Sequence, residues 1–118
     1  MGKIELQNIC FQYAGNSSMT LENINLSVNA GEFVCVLGTS GCGKSTLLSI
    51  LCGLQRPSSG KFLIDGKEIT GPGTERGVVF QHYSLFPWLT AKENIIFGIK
   101  QVRKELPKKE IENIAQAY

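Results

Sequence analysis

The chain has no long hydrophobic run. Its longest uninterrupted apolar stretch is the five residues Phe33 to Leu37, far short of the roughly 20 needed to cross a bilayer. Its opening, Met1-Gly2-Lys3-Ile4-Glu5, lacks the apolar segment of a secretory signal, so any membrane role is expected to be borrowed from a partner. Charge of one sign is scarce as well: 12 basic residues against 10 acidic ones leave a net charge of +2, which gives no ground for a nucleic-acid partner. Cys10, Cys35, Cys42 and Cys52 form no Cys-x-x-Cys pair, and no spaced histidines complete a zinc site. The cysteines are expected to be reduced cytosolic thiols, with Cys35 and Cys52 packed as small apolar residues.

What is present suits a globular domain: 118 residues, 42% of them hydrophobic. Ile4 and Leu6, then Ile9, Phe11 and Tyr13, alternate with polar neighbours but change phase around Asn8, which predicts a strand with a bulge. Ala14 to Ser18 reads as a turn. Ile24, Leu26 and Val28 alternate again, so an antiparallel hairpin is expected, closed off by Ala30-Gly31. Phe33 to Leu37 does not alternate, as expected of a central strand buried on both faces. Leu47, Leu48, Leu51 and Leu54 lie at helical spacing, with Gly53 marking the helix end. Lys61 to Ile64 reads as a short strand before the turn Asp65-Gly66, and Ile69 as part of a brief edge strand. Gly77 to Gln81 reads as a second interior strand ending in a polar residue. Thr90-Ala91-Lys92-Glu93 is a capping-box pattern that starts a helix through Ile95, Ile96 and Phe97. Pro107 opens a last helix, where Ile111, Ile114, Ala115 and Tyr118 form an apolar stripe with nothing yet to pack against.

The most specific signal lies between the Phe33 to Leu37 run and the helix after it. Gly38 to Thr46 reads GTSGCGKST, a complete match to the phosphate-cradling pattern G-x-x-x-x-G-K-[ST]. A strand, a glycine turn and a helix beginning at Lys44 would converge backbone N–H groups and the positive end of the helix dipole on one anion-sized space. Gly38, Gly41 and Gly43, lacking Cβ, let the backbone approach phosphate oxygens, with Thr39, Ser40 and Cys42 between them. Lys44 would place an ammonium on the β/γ-phosphates, Ser45 a hydroxyl on Mg²⁺, and Thr46 a hydroxyl toward the α-phosphate. The implied ligand is a nucleoside triphosphate. Cys42 is either a thiol whose thiolate the helix terminus favours or an inert residue at a permissive position.

Hydrolysis also needs an acidic residue at the end of an apolar strand to hold Mg²⁺, and a group to orient water. The carboxylates after Gln81 are Glu93, Glu105, Glu110 and Glu112, all in helix-like context. The sequence therefore reads as the front part of a larger ATPase domain.

Four landmarks in order carry a family resemblance: Phe11-Gln12-Tyr13, Ala30-Gly31-Glu32-Phe33, Leu54 to Gly60, and Val79-Phe80-Gln81 leading into Leu85-Phe86-Pro87-Trp88-Leu89-Thr90. From about Ile4 to the last residue the chain resembles the nucleotide-binding subunit of ABC transporters. The resemblance implies an α/β fold: a P-loop NTPase core with an N-terminal antiparallel β subdomain and the start of a helical subdomain, an incomplete domain. Residues 1–81 would form the β subdomain and P-loop core, and 82–118 the Q-loop and the beginning of the helical subdomain. It implies ATP and Mg²⁺ as ligands, with Lys44 and Gln81 in catalytic roles and Ser45 and Gln81 at the metal. Tyr13 matches the aromatic that stacks on adenine, its alternative being a strand-end tyrosine packed in the hairpin.

The same resemblance implies partners. Tyr83 to Leu89 matches the surface on which a membrane permease docks a cytoplasmic helix, although Trp88 and Phe86 are equally compatible with burial under their own loop. In the family a second ATPase subunit completes the ATP site, each signature motif closing the other subunit's, so a second subunit is implied here; the signature, the catalytic glutamate and the switch histidine do not occur in this sequence. Gly71-Pro72-Gly73 and Glu75 to Gln81 look like the importers of nitrate, sulfonates and taurine, which are prokaryotic and keep their ATPases on the cytoplasmic face of the inner membrane. A soluble ABC-class ATPase without a permease, or another P-loop protein such as a phosphotransferase, is the competing reading. Lys100, Arg103, Lys104, Lys108 and Lys109 are expected to form a solvated helix face, with acidic lipid as the alternative.

Overall fold

In a computed structural model of the protein, residues 2–82 and 84–118 are described. They form two compact units, Met1–Arg76 and Gly77–Tyr118.

The first unit is built on a four-stranded antiparallel sheet. Its strands are β1 (Ile4–Phe11), β2 (Leu21–Val28), β3 (Ser59–Ile64) and β4 (Lys67–Glu68), in the order β2-β1-β3-β4. The expected hairpin is β1 with β2, pairing Ile4 with Val28 and Leu6 with Leu26. The expected bulge is also present. Asn8 takes a φ of 50° and the β1–β2 register shifts between Leu6 and Ile9. Successive strand residues point to opposite faces, so an odd spacing would send Leu6 and Ile9 to opposite sides. The extra residue restores the phase, and both are buried with Phe11. The Asn8 N–H donates to Asn25 Oδ1 at 2.9 Å. A second irregularity, at Asn23 with φ 49° and a register shift between Ile9 and Phe11, gave no signal in the sequence. It brings Leu21 as well as Ile24 to the packed side.

Between β2 and β3 runs α1 (Lys44–Leu51), which lays Leu47 and Ile50 against Leu6, Ile9, Phe11, Leu21, Phe62 and Ile64 to form one core. Ile9 and Ile50 are 0% and 1% exposed. The buried stripe of α1 is Thr46, Leu47 and Ile50 with Leu51 beside it. Leu48 and Leu54, expected on the same face, are exposed, because the sheet selects a different arc of the helix from the one the leucine spacing suggests. Gly53 ends the helix in the left-handed region, φ 77°. At Gly60 the absence of a side chain is required, because a Cβ there would strike the Asn8 and Gln7 carbonyls across the bulge.

Two expected interior strands do not form. Phe33 to Leu37 and Gly77 to Gln81 belong to none of the four described strands, and Phe33, Leu37 and Val79 are 92%, 90% and 100% exposed. A strand buried on both faces needs a neighbour on each edge, and among the described residues neither segment finds a ladder partner. Cys35, expected to be packed, is accordingly exposed, while Cys52 is half-buried.

The second unit contains α2 (Ala91–Val102) and α3 (Lys108–Gln116), packed on each other. The expected capping box starts α2: Glu93 N–H donates to Thr90 Oγ1 at 3.2 Å, and Thr90 N–H donates to Glu93 Oε2 at 2.7 Å. Half of the α3 stripe does find cover, contrary to expectation, since Ile111 and Ala115 are buried. Ile114 and Tyr118 instead line an open apolar groove with Ile95, Ile99 and Val102. Lys100, Arg103, Lys104, Lys108 and Lys109 are all exposed. Among the described residues no helix is long and apolar enough to cross a membrane.

Candidate nucleotide site

The start of α1 is built for an anion. Its N-cap is Gly43 at φ 103°, ψ 6°, with no capping side chain and no acidic residue in the first turn. The first intrahelical bond is Leu47 N–H to Gly43 O, 2.9 Å, so the earlier N–H groups of the helix have no intrahelical acceptor. Gly43 must be glycine for two reasons: its backbone is left-handed, and a Cβ would sit 2.9 Å from Leu21 Cδ2 and 3.0 Å from the Thr20 carbonyl oxygen. The phosphate loop is therefore pressed directly onto the start of β2. Gly41 also adopts positive φ, 78°, whereas Gly38 does not.

Gly38 to Cys42 are solvent-exposed, as is Ser45. Lys44 Nζ folds back over the loop, donating to the carbonyls of Gly38 and of Thr39, the latter at 2.8 Å. Cys42 Sγ lies 3.9 Å from the same ammonium. A concentrated positive field thus meets unpaired N–H donors at one mouth, which suits an oxyanion. Among the described residues no group of three His, Cys, Asp or Glu side chains gathers to hold a metal. A divalent ion here would rely on the Ser45 hydroxyl and on ligand oxygens.

Thr46 is 5% exposed, and its Oγ1 lies 2.9 Å from Tyr13 Oη. Tyr13 follows β1 and packs edge-on against Phe11, centroids 4.8 Å apart at 86°, leaving the residue 39% exposed. Its chain segment is pinned by Gln12 N–H to Ser58 Oγ (3.1 Å) and Asn16 N–H to Tyr13 O (3.1 Å). Both features of the two alternatives for Tyr13 coexist: it packs in the hairpin and keeps ring surface open.

Arg76, within the Glu75 to Gln81 run, carries no structural signal of its own in the sequence. Its guanidinium donates to the Leu51 carbonyl at the C-terminus of α1 (3.1 Å) and to Gly71 O, and lies over the Phe62 ring at 5.5 Å. Glu75 Oε1 is 3.0 Å from Nε, near enough for charge attraction but out of line for a hydrogen bond, so that Nε–H is left without an acceptor. The cation at the carbonyl end of α1 complements the helix dipole whose positive end faces the phosphate loop.

A family model described as ABC transporter matches residues 21–118. The chain belongs to the ABC transporter family. It is 48% identical, over 98% of its own length and 43% of the relative's, to an uncharacterized ABC transporter ATP-binding protein of Methanocaldococcus jannaschii. The nitrate import ATP-binding protein NrtD of Synechocystis is 56% identical over 71% of this chain and 32% of that protein. The bicarbonate transport ATP-binding protein CmpC of Synechococcus elongatus is 47% identical over 88% of this chain and 16% of that protein. The chain thus spans less than half the length of these curated relatives. Among solved structures, a dimeric ATP-binding cassette in a post-hydrolysis state, bound to ADP and Pi, matches with a TM-score of 0.81 and 32% identity. The match covers 97% of this chain and 54% of the cassette. An α/β P-loop cassette fold is therefore established.

In the second unit of this ABC transporter chain, Gln81 is exposed within the unpaired segment. Tyr83 lies outside the described residues. Trp88 is 75% exposed, whereas Phe86 is half-buried between Trp88 (5.2 Å) and Phe97 (4.8 Å). The two readings of the aromatic loop therefore divide, with Trp88 outward and Phe86 tucked beneath. Asn94 shapes the loop. Its Oδ1 accepts from Phe86 N–H at 2.8 Å, and its Nδ2 donates to the carbonyls of Phe86 (3.3 Å), Leu89 (3.3 Å) and Thr90 (2.9 Å). An asparagine immediately after the capping box, where a better helix former is expected, is the signal the sequence offers for it.

Proposed function

We propose that this chain grips Mg-ATP for an ATPase subunit that drives import of a small oxyanion, of the nitrate, sulfonate or taurine kind, through a membrane permease. The observation that carries the reading is the uncapped start of α1, framed by Gly41 and Gly43 and overhung by the Lys44 ammonium. Support comes from the 56% identical nitrate import protein and from the cassette that holds ADP and Pi. Gly38 to Thr46 hold the triphosphate by backbone N–H groups, and Lys44 exchanges the Gly38 and Thr39 carbonyls for β/γ-phosphate oxygens. Ser45 and Gln81 would hold Mg²⁺, which would supply charge to neutralise the triphosphate. Tyr13 offers its open ring surface to adenine.

In this reading residues 1–81 form the β subdomain and core, and 82–118 begin the helical part. Exposed Trp88 and Leu85 meet the permease on the cytoplasmic face of the membrane, and a second ATPase subunit closes the ATP site. No carboxylate ends an apolar strand after Gln81, so the 118 residues bind ATP without sustained turnover. Titration with Mg-ATP tests this: we expect weak binding that Lys44→Ala reduces at least tenfold, the loss of one charge-assisted phosphate contact. Equal affinity in Lys44→Ala, or robust turnover by the wild-type chain, overturns the reading. Failure to co-purify with a membrane subunit would remove the permease from it.

A further inference from the structure

Thr46 is the buried polar side chain of the described residues, and a buried hydroxyl requires a partner. A helical threonine can turn its hydroxyl back on the preceding turn's carbonyls. Here it is engaged instead by Tyr13 Oη, 33 residues away in sequence, at 2.9 Å. Tyr13 has two anchors, this hydrogen bond and the edge contact with Phe11. Together they fix the plane of a ring that stands at the end of β1, while Thr46 stands in the first turn of the helix that receives phosphate.

Resting on the nucleotide reading above, we propose that the Tyr13–Thr46 hydrogen bond sets the spacing between the base and phosphate subsites, with Tyr13 and Thr46 each positioning the other. A nucleotide then meets both subsites already in register, and the ordering cost of aligning the ring is removed from binding. The hydroxyl of Tyr13, not only its ring, contributes to ATP affinity. It contributes nothing to a ligand that occupies the phosphate subsite alone.

The test compares Mg-ATP with Mg-tripolyphosphate on the 118-residue chain and on Tyr13→Phe, Thr46→Val, their double variant and Thr46→Ser. Far-UV circular dichroism and thermal melts confirm folding. One lost hydrogen bond predicts a drop in ATP affinity of about 3- to 10-fold for Tyr13→Phe, and a similar one for Thr46→Val. The double variant should lose no more than the worse single one, because each removes the same bond. Tripolyphosphate affinity should be unchanged in Tyr13→Phe, and Thr46→Ser, which keeps the hydroxyl, should bind ATP like wild type. ATP affinity insensitive to Tyr13→Phe, losses that multiply in the double variant, or Thr46→Ser as weak as Thr46→Val overturns the tie and leaves the nucleotide reading standing. A wild-type chain that holds tripolyphosphate but not ATP overturns both.

Discussion

The two units of this chain are held by different means. In Met1–Arg76 a helix and a sheet bury eight hydrophobic residues in one cluster. In Gly77–Tyr118 only Ile111 and Ala115 of the two helices are buried, and α2 contributes no buried residue. Local shape in the second unit depends instead on side chains that satisfy backbone groups: the Thr90–Glu93 box and the Asn94 amide. Burial fixes long-range arrangement and is unforgiving of lost volume, while polar tethers fix a single turn and cost less to lose.

The contrast can be put to the test by substitution. The largest effect should come from Ile50→Ala, which empties the centre of the cluster and should cost the first unit about 2–5 kcal/mol, measured by denaturant titration. A loss below about 1 kcal/mol would mean that burial does not dominate there. Next is Asn94→Ala, which leaves the Phe86 to Thr90 backbone untethered at a cost of roughly 1–3 kcal/mol to the local structure. Trp88 is the single tryptophan of the chain, so its fluorescence reads the loop directly. We expect a change in emission maximum and increased quenching by acrylamide, with the circular dichroism of the first unit intact. Unaltered Trp88 quenching would show that aromatic packing, not the amide, shapes the loop.

The smallest expected effect concerns the turn after β2. Glu32 accepts from the side chain (3.0 Å) and the backbone N–H (2.7 Å) of Asn29, and these bonds hold its carboxyl below the ordinary value of 4.5. A depressed carboxylate adds stability that is present above its unfolded-state value and is lost as pH falls through the lower native one. Wild type should therefore lose a slight advantage over Glu32→Gln below about pH 4.5, seen as converging melting curves. Curves that stay parallel through that range would remove the carboxylate's role.

What could be read in the sequence were features carried by neighbours in the chain. The phosphate loop, the bulge at Asn8, the stop at Gly53 and the box at Thr90 each depend on a few consecutive residues, and each is present. The exposure of Leu48 and Leu54 beside a buried Leu47 depends on where the sheet lies, which helical periodicity does not encode. Tyr13 with Thr46 and Arg76 with the Leu51 carbonyl join residues 33 and 25 positions apart, and no local pattern announces them. Phe33 to Leu37 and Gly77 to Gln81 have strand composition but no ladder among the described residues, because pairing is a property of two segments and composition belongs to one.

The bulge at Asn8 has a reach beyond the core it serves. A β-strand keeps count in twos, and one uncounted residue reverses the parity of all that follow until the strand ends. Phe11 is downstream of Asn8, and Tyr13 has the same parity as Phe11 and leans on it. Inserting one residue beside Asn8, with the bulge kept, would therefore work like a slipped stitch, turning Phe11 outward and withdrawing the support on which the Tyr13 ring rests. The orientation of the aromatic beside the phosphate helix is thus inherited from a miscount in the backbone five residues earlier.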